Sequence, residues 1–332
     1  MIKVALDWVP NGNHVGLFLA ALRDGHEVEF VSPHETAYAK TPHQLVRDGV
    51  VDIGIGPTET VISSFIEHGQ DSVVAIATLL AENDSAIATL KSSGIDTMAK
   101  LDGKRYASYS ARFEGRIVQS MIRHAGGTGE YHELSPEKLG VFDTLMDGSY
   151  DATWIFRHHE GIIAKQRGIK LNIFRLEDHK IPYGYPLVVF KSRASTENED
   201  GIAAFMKSAK KWYEWAAQPK NRVDAAERAA AMIDALFPEL KLDHEQFKES
   251  VALAADTFCD AEGHAFRMDE AKWRGFLDWL YDAGLMTTKM QSRGPPSAKK
   301  TSLDGLRSGD VGDPLPRDKV TAADLFTVSF ID

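Results

Sequence analysis

The sequence predicts an α/β protein of two lobes that close as a clamp, each lobe a doubly wound and mainly parallel sheet, with helices at its C-terminal end. Three observations predict this. Strand-length apolar runs stop in turn residues and pass into helix-period segments, first at Ile2 to Leu6. Two segments about one hundred residues apart, Leu45 to Gly56 and Leu145 to Phe156, repeat the same order of helix, Asp-Gly stop and short strand opened by an aspartate, Asp52 or Asp151. Beyond Phe190 the strand pattern gives way to helices. A chain of 332 residues is long enough for two cores.

Taken in order, Ile2 to Leu6 is the first strand, Asp7 to His14 a turn, and Val15 to Leu22 the start of a helix. The echoed segments run into Pro57-Thr-Glu-Thr and Arg157-His-His-Glu, each opening another helical pattern, and such alternation specifies parallel strands with crossover helices. Between them Leu101 to Tyr109 supplies a strand, and Ser110 to Gly115 leads into a helix over Arg116 to His124. Strands near Ile76 to Leu80 and Pro186 to Phe190 are expected to cross between lobes. Helices follow over Ile202 to Ala217, Val223 to Leu236, His244 to Phe258 and Asp269 to Ala283. The expected division is residues 1–85 plus 187–288 for lobe 1 and 86–186 for lobe 2. The tail 289–332 is expected to be poorly ordered, rich in Gly, Pro, Ser and charge to about Thr321, with Leu325 to Ile331 apolar enough to dock on the body.

Composition excludes several classes. With 43% apolar and 26% charged residues the chain reads as globular, and no window approaches the roughly 18 uninterrupted apolar residues of a membrane helix, so membrane insertion is not expected. A formal charge of −10 without a sustained basic face argues against nucleic acid as a partner. Met1-Ile2-Lys3 runs straight into the first strand without an apolar leader, which gives a cytoplasmic expectation. A lone Cys259 offers neither an internal disulfide nor metal-ligand spacing, and reads as a half-buried helix residue.

Ligands of open α/β sheets bind outside the strands' carboxyl ends. The first such turn carries an aromatic plate, Trp8, amides at Asn11 and Asn13, and the imidazole of His14, a set suited to a flat polar heterocycle. It equally fits a capped turn carrying a core tryptophan. Pro57, Thr58, Glu59 and Asn83 are expected at the same edge of a cleft between the lobes, with Tyr109, Arg112, Glu114, Phe156 and Tyr183 at the other. Glu59 could accept from an exocyclic amine, and Arg112, with the amides after Ser110, could receive a phosphate or carboxylate. Trp8, Tyr109 and Phe156 divide between core and pocket, and Arg112 with Glu114 between ligand contact and a helix-start ion pair.

Other chemistry is poorly supported. His158-His159-Glu160 lacks metal-ligand spacing, because adjacent residues point in different directions, and no metal site is expected. No GxSxG elbow, dinucleotide fingerprint or phosphate loop occurs, although a hydrolase or transferase using His158 or His159 is a third reading. Trp212, Tyr213 and Trp215, and Trp273 with Trp279, recur at helical spacing and are expected to face the core.

On Leu6-Asp-Trp-Val-Pro-Asn-Gly-Asn-His14-Val-Gly16, Val51 to Pro57, Leu101-Asp-Gly-Lys104 and Tyr150-Asp-Ala-Thr-Trp154, the chain resembles the family of fungal thiamine-pyrimidine synthases and bacterial aminopyrimidine- and sulfonate-binding proteins, over about residues 2 to 290. The resemblance implies the fold of type II solute-binding proteins and a small-molecule ligand, a pyrimidine or a pyridoxal-phosphate type, between the lobes. A synthase role in hydroxymethylpyrimidine phosphate formation would bring pyridoxal phosphate and iron as cofactors. The places that hold the family's pyridoxal-binding lysine and donor histidine are here Gly56 and Thr60, and neither can supply that chemistry. The cysteine-rich, iron-associated cluster is also missing, and the connection between Ala20 and Val28 is shortened to Arg23-Asp-Gly-His26. The alternative expectation is a non-catalytic solute-binding protein or sensor for a heterocycle or sulfonate. Dimerisation with a second copy of the chain is a further expectation.

Overall fold

The structure is a computed structural model describing residues 1–36, 39–136, 140–289 and 312–331. In chain order its elements are β1 (Ile2–Ala5), α1 (Val15–Arg23), β2 (Val28–Val31), α2 (Pro33–Thr36), α3 (Pro42–Arg47), β3 (Ile53–Gly56), α4 (Thr58–His68), β4 (Val73–Thr78), β5 (Ser85–Leu90), β6 (Arg105–Ala107), α5 (Glu114–His124), β7 (His132–Leu134), α6 (Val141–Met146), β8 (Ala152–Phe156), α7 (Glu160–Gln166), β9 (Leu171–Arg175), β10 (Val188–Ser192), α8 (Glu199–Ala217), α9 (Arg222–Leu236), α10 (His244–Ala254) and α11 (Glu270–Asp282). The chain forms two compact units. Unit 1 holds Met1–Asp84, Tyr185–Ala271 and Ala322–Asp332, and unit 2 holds Ser85–Gly184 and Lys272–Thr321.

The sheet of unit 1 has the order β2-β1-β3-β10-β4. β1 runs parallel to β2 and β3, whereas β10 is antiparallel to β3 and β4. Every residue of β3 and β4 is buried, as expected for strands covered on both faces. Val188 lies opposite both Gly56 and Thr78, so the amino end of β10 shares one edge with the carboxyl ends of β3 and β4. Helix α1 buries Val15 through Ala21 and lets Tyr213 of α8 lie across Gly16, where a Cβ would stand 2.2 Å from a ring carbon. No larger residue fits beneath that ring.

Unit 2 repeats the plan in the order β7-β6-β8-β5-β9. β6 is parallel to β7 and β8, and β5 is antiparallel to β8 and β9. The sheets are therefore mixed: each contains one reversed strand, and it is the strand with which the chain enters that unit, β5 or β10. The sequence pattern did not single out β5, whose Ser-Ala-Ile-Ala-Thr-Leu carries little bulk, nor the short β7 or the edge strand β9. β4 and β10 were expected to cross between lobes. Both lie wholly in the first sheet, and the chain passes between the units at Asp84/Ser85 and Gly184/Tyr185, and again at Ala271/Lys272 and Thr321/Ala322.

Helix α11, expected with the first lobe, belongs to unit 2 from Lys272 onward. Phe276 packs on Tyr183 at 5.0 Å between ring centroids, and Tyr183 on Trp154 at 5.5 Å. Of the aromatic stripes, Tyr213 and Trp273 are fully buried. Trp212, Trp215 and Trp279 are half-buried on helix flanks, with the Trp212 indole donating to Asp24 at 3.1 Å. Within the expected tail, residues 290–311 lie outside the described residues. The Leu315 amide donates to Met286 O at 2.9 Å and the Thr288 amide to Asp313 O at 3.0 Å, a short clasp inside unit 2. Farther on, Ala75 N donates to Leu325 O and Thr327 N to Ala75 O, both at 2.9 Å, so the C-terminal segment docks along the edge of β4. Leu325 is fully buried there.

Replacing that side chain in Leu325→Ala is expected to lower stability in urea unfolding by about 2–5 kcal/mol. Burial, then the nearby His124, holds His179 below its ordinary value of 6.5, so the folded state favours the neutral ring. A depressed value means the contribution of His179 to stability is complete above 6.5 and is lost as pH falls toward and through the lower folded value. His179→Gln is expected to flatten the acid side of the stability profile below that pH, measured by thermal unfolding.

Candidate functional site

The strongest concentration of candidate residues begins where β1 ends. Asn11 caps a 3₁₀ turn over Gly12–His14, accepting the Asn13 amide at 2.9 Å on its side-chain oxygen and donating from Nδ2 to Val9 O at 3.0 Å. His14 Nδ1 accepts the Asn11 amide at 3.3 Å, so the proton sits on Nε2, which faces Asp7 Oδ1 at 2.8 Å. Asn13 is buried with its carbonyl accepting the Tyr213 hydroxyl. The side chains of Asn11 and His14 and the main chain of Asn13 are thus engaged in building the turn, whereas Asn13 Oδ1 is buried without a hydrogen-bond partner among the described residues, and Trp8 and Val9 are half-buried.

Beside it, β3 ends in Pro57 and α4 opens with Thr58 and Glu59. The Thr58 hydroxyl donates to Tyr185 O at 2.7 Å and accepts the Tyr185 amide at the same distance, fastening the start of α4 to the returning chain before β10. Thr58 is fully buried, Glu59 is 2% exposed in a first turn that favours a carboxylate, and Pro57 is half-buried. Asn83, just past β4, is 9% exposed. Trp8, Pro57, Glu59 and Asn83 therefore follow the carboxyl ends of three strands of one sheet.

In unit 2 the corresponding edge lies past β6 and β8, which run parallel. Glu114 is buried and accepts from the Tyr106 hydroxyl at 2.7 Å and from the amides of Tyr109 and Ala111 at 3.1 Å each. It shapes the loop that precedes its own helix. Arg112 donates from Nη2 to Thr287 O at 2.7 Å and to Lys289 O at 3.1 Å. Its guanidinium is thus directed at main-chain carbonyls of the segment after α11. Ser110 adopts φ 72°, with its amide donating to Ser108 Oγ at 2.9 Å. Tyr109 and Phe156 are half-buried, whereas Tyr183 is 7% exposed between Trp154 and Phe276.

A family model described as NMT1/THI5 like matches residues 11–222. The chain belongs to that family. A formylaminopyrimidine-binding protein of Halalkalibacterium halodurans is 25% identical over 288 residues, 84% of each chain. A putative thiamine biosynthesis protein of Haemophilus influenzae is 23% identical over 214 residues, covering 62% of this chain and 65% of the relative. Among solved structures, the alkanesulfonate-binding protein SsuA of Xanthomonas axonopodis pv. citri shares the fold with TM-score 0.58 and 11% identity, covering 86% of this chain and 93% of its own. The expected α/β fold of periplasmic binding proteins is the fold of this NMT1/THI5-like chain.

Several groups carry less chemistry than their residue types suggest. Burial, then Glu214 and Asp260, pushes the Cys259 thiol up to about 11, so it stays protonated at neutral pH. His158 is fully buried and packs on Phe156 at 5.4 Å, while Glu160 accepts the Phe156 amide at 2.8 Å. Among the described residues, no three His, Cys, Asp or Glu stand close enough to hold a metal ion. Sequence reasoning overlooked Asp7 as the partner of His14, although it lies in the same motif, and Tyr213, whose bond to Asn13 spans 200 positions and leaves no local signal. His14→Ala is expected to cost roughly 1–3 kcal/mol of stability without any ligand, measured by denaturant unfolding, because Asp7 and the Asn11 amide lose their partner.

Proposed function

We propose that this protein binds a flat nitrogen heterocycle of the thiamine-pyrimidine type, with Trp8 as the aromatic plate. The observation that carries this is a half-buried tryptophan in a turn held by Asp7, Asn11 and His14, in a chain aligned over 84% of its length with a formylaminopyrimidine-binding protein. Glu59 and Asn83 stand at the same sheet edge of unit 1.

The residues do not fit the cofactor chemistry of a pyrimidine synthase. A Cβ at Gly56 would stand 3.2 Å from the buried ring of Phe190 and 3.4 Å from Thr60 Oγ1, so a lysine there would press on the sheet, and Thr60 has no imidazole to donate. Binding without turnover is therefore the reading we favour, as in a solute receptor or a ligand sensor. Cytoplasmic residence belongs to the sensor form of this proposal and is tested by cell fractionation.

In a thermal-shift screen, a pyrimidine at about one hundred times its dissociation constant should add roughly 2.7 kcal/mol of stability. No shift with hydroxymethylpyrimidine or formylaminopyrimidine would overturn the proposal, and an alkanesulfonate response in their place would favour the sulfonate-receptor alternative. Trp8→Ala should weaken binding by roughly 1–3 kcal/mol, measured by calorimetric titration. Protein expressed with pyridoxal phosphate and iron should keep its full mass, without loss at any histidine.

A further inference from the structure

We infer that unit 2 carries a second ligand site, a groove beside the carboxyl end of β5 that takes a small organic anion with an apolar body. The groove holds about 470 Å³ and is lined by Leu90, Met146 and Ile169 and by Lys91, Ser92 and Lys170, with Gly168 in the turn between α7 and β9. That volume is in the range of small-molecule sites. All of these residues belong to unit 2, so the groove is complete within one compact unit. Ser85 at the start of β5 pairs with Phe156 at the end of β8, which puts Leu90 and the groove at the opposite edge of the sheet from the loop after β8. The groove is therefore separate from the candidate residues described above.

Its floor is fixed, because Leu90, Met146 and Ile169 pack on a buried core that includes Phe142 and Leu145. Its charge is of one sign. Lys91 N donates to Lys170 O at 2.8 Å, one position beyond the pair Leu90 and Leu171, so two lysines stand opposite one another across antiparallel chains. Like charges in that arrangement are destabilising, and an anion between them removes the repulsion. Among the described residues neither lysine side chain has an ion-pair or hydrogen-bond partner. The carboxylates on either side of Met146 in sequence are engaged elsewhere: Asp143 pairs with Arg167 at 3.3 Å, and Asp147 accepts the Ser149 amide at 2.7 Å. In a chain of net charge −10, a cationic rim over an apolar floor matches one chemistry, an anionic head on an apolar body. The head pairs with the two ammonium groups, and the body covers Leu90, Met146 and Ile169.

The test is calorimetric titration of the full chain with octanoate, and with inorganic phosphate as the anion that lacks an apolar body. Octanoate should bind the wild type at one site, more tightly than inorganic phosphate, and its affinity should fall as salt is raised. Binding should weaken roughly fivefold or more in the Lys91→Gln/Lys170→Gln double variant, in which both exposed side chains are kept at similar length without charge. The Lys91→Arg/Lys170→Arg variant, which keeps the charge, should retain it. Saturating hydroxymethylpyrimidine should leave octanoate binding to the wild type unchanged. No binding of octanoate to the wild type, equal affinity in the glutamine variant, or displacement by hydroxymethylpyrimidine would overturn the inference.

Discussion

The hydrogen-bonded lock of Asp7, Asn11 and His14 sets how the first strand turns into the first helix, and the arrangement of unit 1 depends on it. The imidazole accepts from the Asn11 amide and faces the Asp7 carboxylate, so a fully buried ring satisfies both of its nitrogens inside one turn. Leaving either polar group unpaired in the interior would cost on the order of 1–3 kcal/mol. With the turn fixed, α1 starts immediately, Gly16 passes beneath Tyr213, and the Tyr213 hydroxyl reaches back to the Asn13 carbonyl. Trp8 is left half-buried at the apex.

Both sheets follow from the same economy. Parallel strands buried on two faces need helices to cover them, and the loops that join strand to helix gather at the carboxyl edge. Each unit adds one antiparallel strand where the chain enters it, which places Tyr185 beside Thr58 in unit 1 and Ser85 opposite Phe156 in unit 2. The two edges nevertheless differ in what they present. That of unit 1 carries a tryptophan and carboxylates, whereas the loop past β6 in unit 2 donates its amides to Glu114 and Arg112 donates to the segment after α11.

Much of this was legible in the residues. The strand at Ile2 to Leu6, the duplicated Asp-Gly stops and the long C-terminal helices carry strong periodicity, and the structure forms β1, β3, β8 and α8 through α11 at those places. β5 and β9 were not legible, because Ala-Ile-Ala lacks bulk and an edge strand shows weak alternation. Residue types placed the candidates at strand ends but did not reveal each residue's hydrogen-bonding work. Asn11 and His14 resemble ligand contacts in composition, yet their side-chain partners lie within the turn, and the Asn13 carbonyl is held by Tyr213, which only the fold brings near. Arg112 reads as an anion receptor until the chain returns some 175 positions later to offer it carbonyls.

Amide hydrogen exchange with and without hydroxymethylpyrimidine tests most directly that the turn after β1 and the start of α4 hold the ligand. Saturating pyrimidine should slow exchange in peptides covering residues 6–14 and 57–60 while leaving α9 and α10 unchanged. Unaltered exchange in both segments under saturating ligand, or protection confined to other regions, would contradict it.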